Sequence, residues 1–589
     1  MNRQERRRQK KLQERRGGGG PLKDDAAQNT FQQAMGVHQQ GDVAGALALY
    51  RSILDSNPQH ADTLALAGMA CCQIDDLDGG IDYLQQSVAI APNNLDAQFN
   101  LGQAFEAMER FEDAIKPYLK VAELEPGNVD VHFHLGTVYH SLEQDEEAAQ
   151  HLRQVIAAMP DHADALSNLG AALKGLDEFD EAEQVLRKAL ALKKNDGVTL
   201  SNLGTVLKEL NRLDEASEIH QRAVTLLPDY AEGHGNFGNT LSQQGLLEKA
   251  IEHFERALTL NPDIIEIRSN YCFALLKSGR FKKGWQAYST RWQWKGFDHP
   301  TRPFENPHWQ GEPLQGKTIL VWGEQGIGDE LMFASMFSDL LKQADTVIVE
   351  TDPRLVPLFQ RSFPTMTTVA RDNPPDPTLL DKKIDYQIPS GELGKYLRAD
   401  RADFPKQAGY IKADDHDTER LRETYKKLGN DAAVIGVSWR SGNDVVGEKR
   451  SAALQLWGPI LATSGCFFVN LQYGNVKPFL EEFKKETDIE VYCDDDVDPL
   501  KNMDLFSAQI AAMDLVISID NSTVHSAGSL GVPVWTLLAA APDWRWGQDQ
   551  DSSYWYPNMK LFCQETLGEW SSVFDAAEVA LENLINQAN

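Results

Sequence analysis

Hydrophobic and polar positions follow two patterns along this chain, and the change falls near residue 300. From about Asn29 to about Lys295, small apolar positions recur every 34 residues, as in arrays of helical pairs. After a proline-rich connector, short apolar runs alternate with helical segments. Such runs are typical of buried strands in parallel sheets. The pattern predicts an α-solenoid followed by α/β domains.

Three rows of residues keep the 34-residue register. Their members are glycines, alanines and prolines: Gly68, Gly102, Gly136, Gly170, Gly204 and Gly238; Ala114, Ala148, Ala182, Ala216 and Ala250; Pro58, Pro92, Pro126, Pro160, Pro228 and Pro262, with Lys194 in one proline place. We expect the glycine to let two helices approach closely, the alanine to pack in the second helix and the proline to end it.

These rows resemble tetratricopeptide repeats. The unit from Ala97 to Asn128 carries the matching residues Leu101, Gly102, Phe105, Ala114, Tyr118 and Pro126. Seven units follow one another, and an eighth, degenerate one contains Cys272, Gly284 and Tyr288. The resemblance implies a solenoid over residues 29–295, with a groove for an extended peptide or partner protein. We expect its aromatic end, Gly284–Trp294, to dock the next domain.

Five asparagines recur at one position of the repeats, just before or near the glycine row: Asn100, Asn168, Asn202, Asn236 and Asn270. A ladder of side-chain amides can hydrogen-bond the backbone of an extended peptide without demanding a sequence. The alternative is that these asparagines only solvate the helix surface. Both interpretations stay open.

Beyond the connector, residues 296–313, the strand pattern predicts two Rossmann-like domains, residues 314–430 and 431–589. The predicted strands are Thr318–Trp322, Val347–Glu350, Ala433–Trp439, Cys466–Gln472, Ile489–Cys493, Leu515–Ile519 and Val532–Leu537. Open parallel sheets bind ligands at the carboxyl ends of their strands. The candidate chemistry is therefore expected in the loops that follow these strands.

Composition narrows the function classes. A net charge of −30 argues against a general nucleic-acid role, and the polar N-terminus and scattered cysteines predict a cytoplasmic protein. No apolar run reaches the length of a transmembrane helix. The first sixteen residues carry eight Lys/Arg against two Glu. We predict that residues 1–28 are a disordered basic tail, solvated or in weak contact with an anionic membrane surface.

The loop after the predicted strand Leu515–Ile519 holds Asp520, Asn521, Ser522 and Thr523, followed by His525. Short polar side chains here suit a helix N-cap, and a helix N-terminus favours an anion. The turn Gly323–Asp329 has glycines in neither a dinucleotide-binding nor a Walker pattern. Asp329 is either a general base or an N-cap.

Further candidates end the neighbouring strands. Arg440 and Ser441 follow one strand, and a guanidinium there can pair with a phosphate. Lys449 and Arg450 add charge or are surface residues, and Gln472 with Tyr473 can meet a base or ribose. Aromatic residues surround Arg545 in the segment 541–557, where they suit a sugar or base face or serve packing. Asp494, Asp495 and Asp496 are expected to form a solvated loop, so no metal site is predicted.

Five segments together resemble the heptosyltransferase-like (family 9) glycosyltransferase module: GEQGIGDELMF, GVSWRSGN, LQYG, DLVISIDNSTVHSAGSLGVPVW and APDWRW with YWYP. The resemblance implies a GT-B fold, two Rossmann domains facing across a cleft, and transfer of sugar from a nucleotide donor without a metal or further cofactor. It implies that Asp329 is the base. It also implies that Asp520 and His525 hold the donor's diphosphate and sugar, and that Arg440 contacts the phosphates. Asn521-Ser522 stands where heptosyltransferases have Thr-Gly, so a heptose donor is not implied.

The leading hypothesis is an inverting, metal-independent glycosyltransferase. It uses a nucleotide-sugar co-substrate and a protein or glycan acceptor recruited by the repeats. The donor-side residues are then Arg440, Ser441, Gln472, Asp520, Asn521, Ser522, Thr523 and His525. The first alternative is a non-catalytic tetratricopeptide scaffold with a degenerate α/β module, and the second is a small-molecule-binding regulator. Convergence of Asp329, Arg440, Asp520 and His525 on one cleft favours the enzyme, and the enzyme hypothesis fails if they scatter.

Overall fold

The computed structural model describes residues 22, 25–297, 299–442, 447–548 and 550–588. The chain divides into two compact units, one ending at Pro228 and the other beginning at Asp229. Most of the predicted basic tail, residues 1–28, lies outside the described residues. Its last four residues, from Asp25, belong to the first helix.

The described part of the first unit consists of helices joined in pairs by short turns. In chain order they are α1 (Asp25–Gln39), α2 (Val43–Ser56), α3 (Ala61–Gln73), α4 (Leu77–Ile90), α5 (Leu95–Ala107), α6 (Phe111–Leu124), α7 (Val129–Ser141), α8 (Asp145–Ala158), α9 (Ala163–Gly175), α10 (Phe179–Leu192), α11 (Gly197–Glu209) and α12 (Leu213–Leu226). Many begin with a capping side chain. The Asn94 amide oxygen, for example, accepts the Ala97 N–H at 3.1 Å.

The glycine row sits where the two helices of a pair come closest. A Cβ atom added at Gly170 would lie 2.4 Å from Cγ of Leu186, and one at Gly136 would lie 2.5 Å from Cγ of Leu152. Neither contact is possible without a shift of the neighbouring helix. The predicted close approach of the helices is confirmed.

The second unit begins with two further helical pairs, α13 (Ala231–Gln243) with α14 (Leu247–Leu260) and α15 (Ile265–Lys277) with α16 (Phe281–Ala287). A 3₁₀ helix, Tyr288–Gln293, follows. Trp285 donates its indole N–H to the Arg398 carbonyl at 2.9 Å, and Arg291 pairs with Glu324 at 2.8 Å. The aromatic end of the repeats therefore docks on the α/β part, as predicted.

Two parallel sheets make up the rest of the second unit. The first has strand order β3-β2-β1-β4, with β1 (Thr318–Trp322), β2 (Thr346–Thr351), β3 (Thr367–Ala370) and β4 (Tyr386–Pro389). The second has order β6-β5-β7-β8-β9, with β5 (Ala433–Ser438), β6 (Cys466–Asn470), β7 (Leu515–Ile519), β8 (Val534–Leu538) and β9 (Met559–Cys563). Every pairing within the two sheets is parallel.

Helices lie between these strands, and one more follows the last strand. They are α17 (Ile327–Phe333), α18 (Phe337–Leu340), α19 (Val356–Ser362), α20 (Gly394–Leu397), α21 (Asp415–Leu428), α22 (Gly447–Arg450), α23 (Gly458–Leu461), α24 (Lys477–Thr487), α25 (Met503–Ala511), α26 (Ser522–Leu530) and α27 (Ser571–Ala588). The strands β1 and β7 have the predicted bounds. Within the described ranges, no helix combines the length and apolar character needed to cross a bilayer.

One predicted strand is wrong. Residues 489–493 form only an isolated bridge between Tyr492 and Val469, because the chain meets the sheet edge at one point and turns away into a polar loop. The pattern also missed β3, β4 and β9. The first two are only four residues long and carry few apolar side chains, so they lack the run that indicates a buried strand.

Candidate functional site

A cleft of about 510 Å³ opens in the second unit, between loops of the two sheets. The loop after β1 contributes Gln325 to Asp329, and the segment before that strand contributes Gly296, Phe297 and His299. The second sheet contributes the remaining lining residues: Ser441, Arg450, Tyr473, Asp520, Asn521, Ser522, His525 and Arg545. Six of the predicted site residues thus share one cleft: Asp329, Ser441, Asp520, Asn521, Ser522 and His525.

The loop after β1 is anchored by a buried ion pair. The Glu324 carboxylate accepts two N–H groups from Arg291, at 2.8 and 2.9 Å, and the Gly391 backbone N–H at 2.7 Å. Gln325 has a φ of +62°, a conformation that L residues adopt at a cost and that often marks a functional turn. This anchoring leaves Asp329, in the first turn of α17, facing the cleft.

The N-terminus of α26 enters the cleft from the other side. Asn521 caps this helix by accepting the Thr523 N–H at 2.9 Å, and its Nδ2 donates to Ser438 Oγ at 2.8 Å. The predicted donor-binding residue Asn521 therefore fastens the helix to the end of β5. Thr523, two residues on, is fully buried behind the cleft wall.

Gln472 has a similar structural task. Its side-chain oxygen accepts hydrogen bonds from Ser438 Oγ at 3.0 Å, the Trp439 N–H at 3.1 Å and the Arg440 N–H at 2.8 Å. These bonds fix the turn that follows β5. Gln472 positions this turn and lines a second pocket next to the cleft.

Charged side chains alternate in sign across the cleft. Arg545 Nε donates to Asp329 Oδ1 at 2.8 Å, and its Nη1 donates to Asp543 Oδ1 at 2.6 Å. Arg450 pairs with Asp543 Oδ2 at 3.3 Å and with Asp520 Oδ2 at 3.2 Å. We call this chain, Asp329, Arg545, Asp543, Arg450 and Asp520, the charge ladder. It links the first sheet's loop to the second sheet's loop.

Burial and pairing set the charges in the ladder. Burial disfavours the Asp543 carboxylate, but the Arg545 and Arg450 guanidiniums outweigh it and lower the pKa of Asp543 to about 2. Burial raises the pKa of Asp520, with Arg450 acting in the opposite direction. Burial, together with the nearby Arg545 and Arg450, lowers the pKa of His525 to about 3, so this imidazole is neutral at pH 7.

His525 is packed firmly at the junction of the two α/β layers. Its Nδ1 lies 2.9 Å from the Tyr556 hydroxyl, and its ring stacks on Trp546 with centroids 5.0 Å apart. A Cβ atom at Gly328 would lie 2.8 Å from the imidazole Cδ2. The glycine of the first sheet's loop is therefore required for the histidine to face the cleft.

Arg440 does not reach the cleft, contrary to the prediction. It lies exposed at the mouth of the second pocket, a depression of about 300 Å³ that Trp439, Tyr473 and Phe479 also line. Tyr473 borders both pockets, and its hydroxyl accepts the Gly442 N–H at 2.6 Å. The guanidiniums in the cleft belong to Arg450 and Arg545. From the sequence, Arg450 had either a binding or a surface role, and the segment around Arg545 had either a binding or a packing role.

The asparagines of the predicted ladder are half-buried on the first helices of their repeats: Asn100, Asn168, Asn202, Asn236 and Asn270. Asn168 Nδ2 donates to Thr137 Oγ1 at 3.1 Å, and Lys174 Nζ donates to Asn202 Oδ1 at 3.2 Å. Both bonds join neighbouring repeats of the first unit. Peptide binding by these amides stays a prediction.

The three consecutive aspartates behave as loop residues. Asp494 accepts the Tyr425 hydroxyl at 2.7 Å, and Asp495 pairs with Lys477 at 2.6 Å. Among the residues that the structure describes, no group of three or more His, Cys, Asp or Glu side chains is placed to hold a metal ion.

Comparison with known proteins identifies the repeats. Models of the tetratricopeptide repeat match residues 31–94, 99–159, 161–229 and 195–263. Protein FlbA of Caulobacter vibrioides is 30% identical over 317 residues, which cover 52% of this chain and 53% of that protein. The chain thus spans about half the length of this curated relative. The predicted tetratricopeptide repeats are confirmed, and such repeats point to protein–protein interaction.

Solved structures give partial matches. A crystal structure of MamA protein matches 28% of this chain and 92% of its own, with 24% identity and a TM-score of 0.25. A chain of the APC/C hetero-tetramer Cut9-Hcn1 matches over 41% of this chain and 48% of its own length, with 21% identity and a TM-score of 0.34. A tetratricopeptide repeat protein from Parabacteroides merdae matches over 43% of this chain and 100% of its own length, with 14% identity and a TM-score of 0.35. TM-scores of this size carry no argument about the fold or the function of this chain.

Proposed function

We propose that this protein is a glycosyltransferase that moves a sugar from a nucleotide-sugar donor to a hydroxyl group of a protein or glycan acceptor. The two parallel sheets and the cleft between their loops support a GT-B arrangement, the fold implied by the sequence resemblance. One observation carries the proposal. A carboxylate from the first sheet, Asp329, and the N-terminus of α26 from the second sheet face the same cleft.

In this proposal Asp329 accepts the proton of the acceptor hydroxyl. The hydroxyl oxygen then forms a bond to the anomeric carbon of the donor sugar while the bond from that carbon to the phosphate oxygen breaks. Attack from the face opposite the leaving group gives inversion at the anomeric carbon. The proton ends on Asp329 and the electron pair on the departing nucleotide.

The departing phosphate needs positive charge, and the cleft offers it without a metal. Arg450 and Arg545 line the cleft, and α26 directs its N-terminal end there. In our proposal these two arginines take the phosphate role that the resemblance implied for Arg440. Neutral His525 contributes a hydrogen bond to the donor rather than a charge.

We place the donor's nucleoside in the neighbouring pocket lined by Arg440 and Tyr473. Tyr473 borders both cavities, so a donor can extend from its base in this pocket to its phosphate in the cleft. The apolar side chains of Trp439 and Phe479 suit the face of a base. The repeats recruit the acceptor, which agrees with their protein-binding character.

The test is binding and turnover of nucleotide sugars linked to UDP, GDP, ADP and CMP, with the intact protein. We expect one donor class to bind, to lose affinity in Asp520→Ala and to be consumed slowly only when Asp329 is present. Asp345→Asn is the matched control. Asp345 is an exposed carboxylate at the amino end of β2, the edge of the sheet opposite the cleft.

Two results contradict the proposal. If no donor binds at millimolar concentration, the module is not a transferase, and the scaffold hypothesis, with peptides in the repeat groove, replaces it. If a donor is consumed equally by Asp329→Asn and by the intact protein, Asp329 is not the base. Equal loss in Asp345→Asn and Asp329→Asn would mean that general destabilisation causes the effect.

A further inference from the structure

Arg545 is the best-connected side chain in the cleft. It donates to Asp329 from Nε and Nη2, to Gln325 Oε1 from Nη2 at 2.9 Å, and to Asp543 from Nη1. Its guanidinium also lies 4.8 Å from the centre of the Trp544 ring. Of the N–H groups that point toward the first sheet, two end on one oxygen, Asp329 Oδ1, and a third ends on Gln325.

This arrangement occupies one of the two oxygens of the carboxylate that we propose as the base. Carboxylate oxygens that accept two guanidinium N–H groups have little capacity left to accept a third proton. In the structure, therefore, Asp329 Oδ1 is engaged by Arg545 and not open toward an acceptor hydroxyl.

The charges in the cleft indicate what an anion must displace in order to bind. The charge ladder contains three carboxylates and two guanidiniums, so both arginines already have acidic partners. A diphosphate carries at least two negative charges and needs these same N–H groups. Four of the five N–H groups of Arg545 are engaged by these bonds, so a diphosphate can pair closely with Arg545 only by displacing one of its partners.

Asp329 is the carboxylate that is easiest to displace. Asp543 lies two residues from Arg545 on the same short 3₁₀ turn, and it also accepts the Arg545 backbone N–H at 3.1 Å. The Asp329 carboxylate, in contrast, belongs to the other sheet's loop and is held only through the guanidinium among the bonds of the described residues. Movement of the guanidinium therefore releases Asp329 before Asp543.

We propose that Arg545 is exchanged between Asp329 and the donor's diphosphate, so that the donor frees the base when it binds. This inference rests on the proposed function and adds the order of events to it. Before a diphosphate binds, Arg545 pairs with Asp329. When a diphosphate enters, the guanidinium turns to the phosphate oxygens, and Asp329 Oδ1 becomes available to the acceptor hydroxyl. Both oxygens of Asp329 are then available to the acceptor only after the donor has bound, which favours transfer over side reactions before donor binding.

Arg450 provides the internal comparison. It pairs with Asp520 and Asp543 but not with Asp329 among the described contacts. Both arginines should therefore contribute to diphosphate affinity, whereas only Arg545 should couple that affinity to Asp329.

The experiment measures pyrophosphate binding to the full chain by isothermal titration calorimetry. The variants are Asp329→Asn, Arg545→Lys, Arg450→Lys and both combinations of Asp329→Asn with an arginine change. Because a neutral amide no longer competes as a charge for Arg545, we expect Asp329→Asn to tighten pyrophosphate binding by about tenfold. The gain should disappear in the Arg545→Lys background and persist in the Arg450→Lys background. Asp345→Asn should leave the affinity unchanged.

Unchanged or weaker binding in Asp329→Asn would overturn the exchange, as would a gain that persists without Arg545. No pyrophosphate binding in any variant would overturn it too. Circular dichroism spectra identify variants that fail to fold, and Asp329→Glu then repeats the test, with no gain expected because the charge is kept. A tenfold gain without consumption of any nucleotide sugar supports the exchange and refutes the transferase. Turnover of a donor without the gain in pyrophosphate affinity supports the transferase and refutes the exchange.

Discussion

The repeats and the cleft are both built around glycines and charged pairs, but the contacts have different ranges. In the repeats, Gly170 faces Leu186, its neighbour in the same helical pair. In the cleft, Gly328 faces His525, and Arg545 reaches Asp329 across 216 residues of sequence. A short-range contact repeats with the sequence period. A long-range contact exists only after the two sheets have packed together.

The ion pairs of the two regions differ in their exposure to solvent. Arg153 and Glu181 in the repeats are each 47% exposed, whereas Arg291 and Glu324 below the cleft are 1% and 0% exposed. Water screens the first pair, so its net contribution is small. The second pair has no solvent to replace a lost partner. Four predictions sharpen this comparison.

The largest effect is expected from Arg291→Met. It leaves the Glu324 carboxylate buried without its guanidinium, and loss of one partner of a buried pair costs about 3–5 kcal/mol of unfolding free energy. Calorimetry of the full chain should show a lower Tm for the transition of the second unit. The control Arg153→Met should stay within about 0.5 kcal/mol of the parent. Equal effects of the two changes would contradict the comparison, and Arg291→Met with Glu324→Gln should recover part of the loss.

A pH dependence comes second. His220 is fully buried at a position where other repeats have Leu152 or Leu186, and burial lowers its pKa to about 3. The unfolded chain takes up a proton below pH 6.5 while the folded state resists it, so stability falls as the pH drops from 6.5 toward 3. At pH 5 the loss is about 2 kcal/mol. Thermal unfolding of His220→Leu at several pH values should show a shallower slope, and an unchanged slope would contradict this cause.

A pair of glycine changes comes third. Gly170→Ala and Gly328→Ala each place a Cβ atom against a buried side chain, so each should cost about 1–2 kcal/mol despite the better helix propensity of alanine. Their controls are Gly127→Ala and Gly326→Ala, where no atom lies within 4 Å of the new Cβ atom. Thermal unfolding of all four variants checks this. Controls as unstable as the test variants would show that packing is not the reason.

The smallest effect is expected from Asn168→Ala. It removes the hydrogen bond to Thr137 between neighbouring repeats, which contributes about 0.5–1 kcal/mol. Thr137→Ala should cost a similar amount, and the double variant should cost less than the sum of the two. Additive losses would mean that the bond contributes nothing. If the amide also binds peptides, Asn168→Ala should weaken partner binding more than Thr137→Ala does.

The sequence predicted the repeats and much of the sheet framework because both depend on local patterns. The 34-residue period fixes which glycine meets which side chain, and the apolar runs fix β1 and β7 with their observed bounds. The same patterns failed for residues 489–493 and for β3 and β4. β3 and β4 are four residues long and carry few apolar side chains, and residues 489–493 are an apolar run that meets its sheet at a single bridge.

The sequence likewise predicted one part of the cleft and missed another. Sequence placed Asp329, Asp520 and His525 in one site, because loops after parallel strands gather at one edge of a sheet and the resemblance joined the two sheets. It did not show which of the short polar side chains caps α26, or that Arg450 and Arg545 line the cleft while Arg440 does not. A guanidinium sits at the end of a long, flexible side chain. Where it points is decided by the packing of aromatic side chains and carboxylates from distant parts of the chain, and only the tertiary structure contains that packing.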